Sequence, residues 1–296
     1  GDSRSHRQWC RLDTGAQRIF DFAADHWVTI PPPEGSKYAM PTGFVSGGIA
    51  LLGLCIGSFL MVCIQRLPAR ESVVLPPSAC RQCGQRLSWF DNIPLLSWLL
   101  LRARCRHCGA RISILYPVVE LCSALLAVAC WQRWGLTWMA LTHYGFICAL
   151  LVVAVIDLRH RIIPDRITLP GIPIAFLVAV GLKILPWTDA LVGLVSGGGG
   201  LLLIAAAYTL ITGRSGMGGG DIKLLAMIGA YNGWQGVLFT ILAASLSGSV
   251  VGLGVMLAKG GSLKSQMPFG PFLTAAAAAF LFWGDAVVDW YLIDFV

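Results

Sequence analysis

The chain has 296 residues, of which 56% are hydrophobic and 12% charged, with a formal net charge of +7 and a mean hydropathy of +0.71. Soluble domains carry about 25% charged residues, so this composition excludes one and describes a polytopic membrane protein. The positive charge does not indicate a nucleic-acid partner, because the arginines gather in a few loops beside apolar spans, the pattern that orients a chain in a lipid bilayer.

Residues 1–40 are polar, carry the run Pro31-Pro32-Pro33 and read as a loosely ordered tail, either leader or appended sequence. A first membrane helix is predicted over 41–65, apolar from Gly43 to Ile64, with Gly53 and Gly57 forming a small-xxx-small face for close helix packing. Residues 66–114 are soluble in character and hold eight arginines against the two acids Glu71 and Asp91, which places them in the cytoplasm. Residues 115–296 form the membrane core. Spans are expected at about 115–133, 137–156, 167–185 and 189–212. The links at 157–166, 213–223 and 259–267 are basic, through Arg159, Arg161, Arg166, Arg214, Lys223, Lys259 and Lys264, and belong on the cytoplasmic side. Residues 222–257 must then cross twice, turning near Tyr231 to Trp234, before a last span at about 269–291. Eight helices result.

Two Cys-x-x-Cys pairs, Cys80/Cys83 and Cys105/Cys108, stand 21 residues apart in the cytoplasmic loop, each followed by Gly. Such pairs supply a tetrahedral four-thiolate zinc site, and a reducing compartment disfavours disulfides. With four protein ligands the metal is structural. Two disulfides, or redox use of one pair, are the alternative. Between the pairs, the apolar stretch from Trp89 to Trp98 is too short to span and is expected on the membrane surface, capped by Asp91 and Asn92. The fold class expected is therefore an all-α polytopic membrane protein of about eight transmembrane helices with a cytoplasmic zinc-binding loop domain.

Asp221 lies in Gly218-Gly219-Gly220-Asp221-Ile222-Lys223, with apolar sequence on both sides. An ionisable group there marks a functional site by default and needs a partner. The topology offers Asp157, at the cytoplasmic end of its span. Two carboxylates brought together in a low dielectric share a proton, so one can take a proton from water while the other donates to a carbonyl. Peptide hydrolysis follows from that pairing, with Gly218, Gly219 and Gly220 admitting an extended substrate backbone and Lys223 beside them. The plainer reading has Asp157 paired with Arg159, Arg161 or Lys223 at the interface. Asp165, after Pro164, reads as a helix N-cap, His160 as an ordinary interfacial residue, and the run Gly197 to Gly200 with Gly193 as close helix packing, since no Lys-Ser/Thr follows it as in a phosphate loop.

Taken in order, Gly57-Ser58-Phe59, Arg66-Leu67-Pro68, both cysteine pairs, Asp91-Asn92-Ile93-Pro94, Tyr116-Pro117-Val118-Val119-Glu120, Asp157 to Asp165, Gly218 to Asp221 and Pro268-Phe269-Gly270-Pro271 resemble the type IV prepilin peptidases, GxGD-type intramembrane aspartyl proteases. The resemblance implies catalytic aspartates at Asp157 and Asp221 and a bacterial inner-membrane location with the site facing the cytoplasm. It implies cleavage of a basic leader, after a Gly, from prepilins or type II secretion pseudopilins. It also implies methylation of the new N-terminus from S-adenosylmethionine by the N-terminal half, where Asn92 and Glu120 are the matching residues. Two departures bear on methylation: Met61 stands where the family has Asn, and Ala103 where it has Gly. A proton- or ion-coupled transporter is the alternative from another class. It accounts for the paired acids, but not for the cysteine loop, and no inverted repeat is visible.

Overall fold

The computed structural model describes residues 42–213, 218–259 and 268–295. The expected tail at 1–40, Arg214 and Lys264 lie outside the described residues. Regular structure among them is helical: α1 Thr42–Arg66, α2 Leu96–Leu100, α3 Leu115–Trp134, α4 Trp138–His160, α5 Asp165–Gly181, α6 Trp187–Leu194, α7 Gly200–Thr212, α8 Gly219–Lys259 and α9 Gly270–Phe295. Two isolated antiparallel bridges, Ala79 with Arg86 and Arg104 with Arg111, are confined to the cysteine loop.

By length and composition, five stretches among the described residues are fit to cross a membrane: Gly43–Arg66, Leu115–Trp134, Trp138–His160, Trp187–Thr212 and Gly219–Ala258. The expected count of eight is not reached among them, and three places make the difference. Helix α5 has 17 residues, opens on Asp165-Arg166 and contains Pro170 and Pro173. Helix α9 runs for 26 residues, Gly270–Phe295, of which Gly270–Gly284 is the apolar stretch found among the described residues. Finally, the 41 residues of α8 count as one stretch, although they are broken at Gly233, whose φ of 71° and ψ of −178° no helix contains. That break falls inside the stretch where the sequence predicts a turn, and it divides α8 into halves, α8a before Gly233 and α8b after it.

Glycines set the closest approaches. On α1, a Cβ at Gly53 would lie 2.7 Å from the Ala124 Cα, and one at Gly57 2.6 Å from the Glu120 Cα, so α1 and α3 touch backbone to backbone along the predicted small-residue face. Between α6 and α7 the helix widens into a π turn, Val195–Gly199, where a Cβ at Gly197 would stand 2.5 Å from the Leu225 carbonyl oxygen and one at Gly198 2.9 Å from the Ala226 Cβ. One turn earlier, a Cβ at Gly193 would fall 2.2 Å from the Gly229 carbonyl oxygen. The glycine run is thus a packing surface that seats α8a in the bundle.

The same end of the bundle collects the helix termini that matter. Helix α4 stops at Arg161, in the left-handed conformation, whose N–H caps the Asp157 carbonyl at 2.8 Å. A short link through Pro164 starts α5. The first turns of α8 and α9 arrive beside this link, and Arg166 reaches back to the Glu71 carbonyl below α1. Leu224, Leu225, Ile228 and Leu273 are fully buried just inside, closing the core behind the polar end.

Candidate functional site

Asp157 follows the buried residues Val152, Val153, Val155 and Ile156 and is itself 6% exposed. A buried carboxylate demands a hydrogen-bond donor. It receives one from the backbone N–H of Gly270, which donates to Oδ2 over 3.0 Å. Gly270 is the first residue of α9, so the carboxylate also sits at a helix N-terminus, where unpaired amides and the macrodipole favour an anion.

Asp221 occupies the first turn of α8 and is half-buried. Its neighbours Gly220 and Lys223 lie against Ile163 and Asp165, in the segment that follows Asp157. The structure therefore brings the two predicted carboxylates together from separate helices. Gly218 and Gly219 are exposed, and a Cβ at Gly218 would stand 3.5 Å from Asp221 Oδ2, which leaves bare backbone beside that carboxylate. Gly220 serves packing, since its Cβ would fall 2.8 Å from that of Ile163 in the α4–α5 link. Gly216 and Met217 lie outside the described residues.

Lys223 is bound to Asp165, Nζ to Oδ1 at 2.7 Å. Two expectations change. Asp165 is the first residue of α5 and makes no capping bond; its carboxylate is drawn to the ammonium instead. Asp157 is not paired with Lys223, and Arg159, His160 and Arg161 are exposed. The ion pair ties the segment after Asp157 to the segment after Asp221.

The four cysteines form a second centre. Their sulfurs all lie within 4.8 Å of one another, the Cys80–Cys108 separation is 3.8 Å, and all four are free thiols. Metal–sulfur bonds of about 2.3 Å in a tetrahedron give an edge of roughly 3.8 Å, so the cluster can hold one metal ion. Each pair sits in the same turn. Cys80 N–H donates to the Gln85 carbonyl and Gly84 N–H to that of Cys80, while Cys105 N–H donates to the Ala110 carbonyl and Gly109 N–H to that of Cys105. Gly84 and Gly109 have φ of 69° and 70°, the left-handed conformation that explains the Gly after each pair. Backbone N–H groups of Cys83 and Gln82 pull the Cys80 thiol down to about 6, and those of Cys108 and His107 lower that of Cys105. Asp91, expected as a cap, instead accepts two bonds from Arg106, at 2.8 and 3.1 Å, because a guanidinium from the second cysteine turn is within reach.

A cleft of about 350 Å³ opens between the end of α1, the cysteine loop and the start of α3, lined by Ser58, Gln65, Arg66, Glu71, Asn92 and Tyr116 among others. Gln65 donates to the Tyr116 hydroxyl across it. Asn92 thus faces the cleft. Glu120 is buried, accepts the Leu95 N–H at 2.8 Å and anchors the loop to α3. Met61 is 0% exposed within the core and is absent from the cleft wall. Ala103 has φ 57°, so its difference from Gly concerns the backbone, not a reacting group.

Gly270 is the site residue that the sequence reading missed, and so is the Asp165–Lys223 pair. A backbone amide carries no side-chain signature, although the Pro-Phe-Gly-Pro stretch that holds it was legible.

Residues 51–134 match the bacterial peptidase A24 N-terminal domain and residues 144–253 the type IV leader peptidase family. The prepilin leader peptidase/N-methyltransferase of Xanthomonas campestris pv. campestris is 40% identical over 264 residues, 81% of this chain and 92% of the relative. The proteins of that name from Pseudomonas putida and Pseudomonas aeruginosa are 37% and 38% identical, covering 80% and 85% of this chain and 90% and 94% of their own lengths. No solved structure matches.

The left-handed backbone at residue 103 leads to a stability prediction. Ala103→Gly is expected to stabilise the folded chain by about 1 kcal/mol, read as a raised thermal midpoint in detergent. An unchanged or lowered midpoint contradicts the strain at that position.

Proposed function

We propose that this chain, which belongs to the type IV leader peptidase family, is a membrane aspartyl endopeptidase that removes the basic leader from prepilins or pseudopilins, with Asp157 and Asp221 as its catalytic pair. The observation that carries the reading is the convergence of two carboxylates from separate helices, one of them buried and hydrogen-bonded, beside exposed glycine backbone. The names of the relatives supply the substrate. The transporter alternative has no support among them.

In the proposed reaction the ionised carboxylate takes a proton from a water molecule, whose oxygen bonds to the scissile carbonyl carbon. The protonated partner donates to the carbonyl oxygen and the C–N bond then breaks, with a proton passing to the leaving amine. Gly218 and Gly219 lie where an extended leader can approach Asp221 without side-chain obstruction. The basic side chains Arg66, Arg159, Arg161, Arg166 and Lys223 belong to the same end of the bundle as the aspartates, which supports a cytoplasmic site in the bacterial inner membrane.

Methylation of the new N-terminus is the second activity that the relatives' names pair with cleavage. The polar cleft supports binding of S-adenosylmethionine, which supplies the methyl group. Asn92, Gln65 and Tyr116 offer hydrogen bonds to it, Glu71 a carboxylate, and Glu120 holds the loop that forms one wall. Neither Met61 nor Ala103 removes a group from that wall.

Incubation of the purified protein with a prepilin and S-adenosylmethionine, followed by product mass, tests both activities. The expected product lacks the leader and carries one added methyl group. Full cleavage by Asp221→Asn removes the aspartyl assignment, and a cleaved but unmethylated product removes the second activity.

Zinc is the metal that the four-thiolate set and its near-tetrahedral spacing favour. Elemental analysis of the purified chain is expected to find about one zinc per chain, lost on Cys83→Ser with Cys108→Ser. Metal-free protein with four oxidised cysteines contradicts it.

A further inference from the structure

Gly270 is buried, and two features of it bear on Asp157. Its N–H donates to Oδ2 at 3.0 Å. A Cβ added there would stand 2.6 Å from the same oxygen, 3.1 Å from Cγ and 3.3 Å from the Asp157 Cβ. No backbone reason calls for glycine at this position. Gly270 is not among the positive-φ glycines, and it opens a 26-residue helix in which Ala is the better helix former by up to about 1 kcal/mol. Space beside the carboxylate is what remains to account for it. Pro271 follows and has no N–H of its own, so the Gly270 amide is the one that this first turn directs at the acid.

We infer that Gly270 is a positioning residue of the hydrolytic centre: its amide fixes Oδ2 of Asp157, and its missing side chain keeps that oxygen in place. The inference rests on the reading of Asp157 and Asp221 as the catalytic pair. A backbone N–H aimed at a carboxylate oxygen forms a charge-assisted bond, which suits Asp157 to the proton-accepting half of the reaction and leaves Asp221 to donate. The amide belongs to a helix terminus and needs no side-chain rotamer to hold it, so the carboxylate is oriented before substrate arrives. The glycine here does different work from Gly218 and Gly219, which leave room for substrate, and from Gly220, which leaves room for Ile163.

Two variants of the full chain test this with a prepilin in proteoliposomes. Gly270→Ala inserts the Cβ, and glycolic acid incorporated at 270 replaces the N–H by an ester oxygen without adding an atom. For Gly270→Ala, kcat is expected to fall roughly 10²-fold with KM within about twofold of the parent, and with no drop in thermal midpoint. For the ester, kcat is expected to fall about tenfold with KM again unchanged. Parent-like kcat in the ester overturns the role of the amide, and parent-like kcat in Gly270→Ala overturns the role of the space. A fall in kcat matched by a lowered thermal midpoint in both variants reduces Gly270 to a structural residue and also overturns the inference. Asp157→Asn assayed alongside separates the two levels, since full activity there sinks the catalytic pair itself.

Discussion

A carboxylate at the end of an apolar helix has to find a donor, and Asp157 finds one in the first amide of α9. The rest of the polar end follows from that need. For the amide to arrive, α9 must begin beside the last turn of α4, and for Asp221 to share the site, α8 must begin there as well. Both are long apolar helices, and neither is drawn to a neighbour by hydrophobic burial when lipid is the solvent. Close packing does the work: Gly193, Gly197 and Gly198 let α6 and the π turn press against α8a at backbone distance. The Asp165–Lys223 pair then ties the two carboxylate-bearing segments at their outer edge. An exposed pair of this kind contributes about 1 kcal/mol or less to stability, so its value is geometric.

The N-terminal half is built on a different principle. Residues 67–114 bury little apolar surface and are held by short turns, two of them nearly identical around the cysteine pairs. One metal ion held by all four thiolates would close a loop too small for a core of its own. Glu120 and the Gly57 contact connect that loop to α3 and α1, and the cleft forms between them. Under the proposed function, cleavage belongs to the aspartate pair and methylation to this cleft.

Much of this was legible from residue types. Span positions, the glycine faces on α1 and before α7, the cysteine quartet and the convergence of Asp157 with Asp221 follow from hydropathy, spacing and the placement of arginines. The break at Gly233 fell within the stretch expected to turn, yet the count of eight spans is not reached among the described residues, where α5 is short and the two halves of α8 count as one stretch. Side-chain pairings were the weakest part. Asp165 and Asp91 were read as caps from their local positions, and both are claimed by cations distant in sequence, Lys223 and Arg106. Gly270 was hidden for a deeper reason: the sequence displays the glycine, but not that its amide and its empty side face the carboxylate of Asp157, 113 residues away.

The central claim is that Asp157 and Asp221 act as one unit on one water molecule, and a double-mutant cycle tests it most directly. Cleavage rates would be compared for the parent, Asp157→Asn, Asp221→Asn and the doubly substituted chain in the same membranes at equal expression. Residues that share one chemical step lose everything with the first substitution, so the account predicts that each single variant is as inactive as the double. Two partial losses that multiply to give the double would contradict it, since the aspartates would then contribute independently.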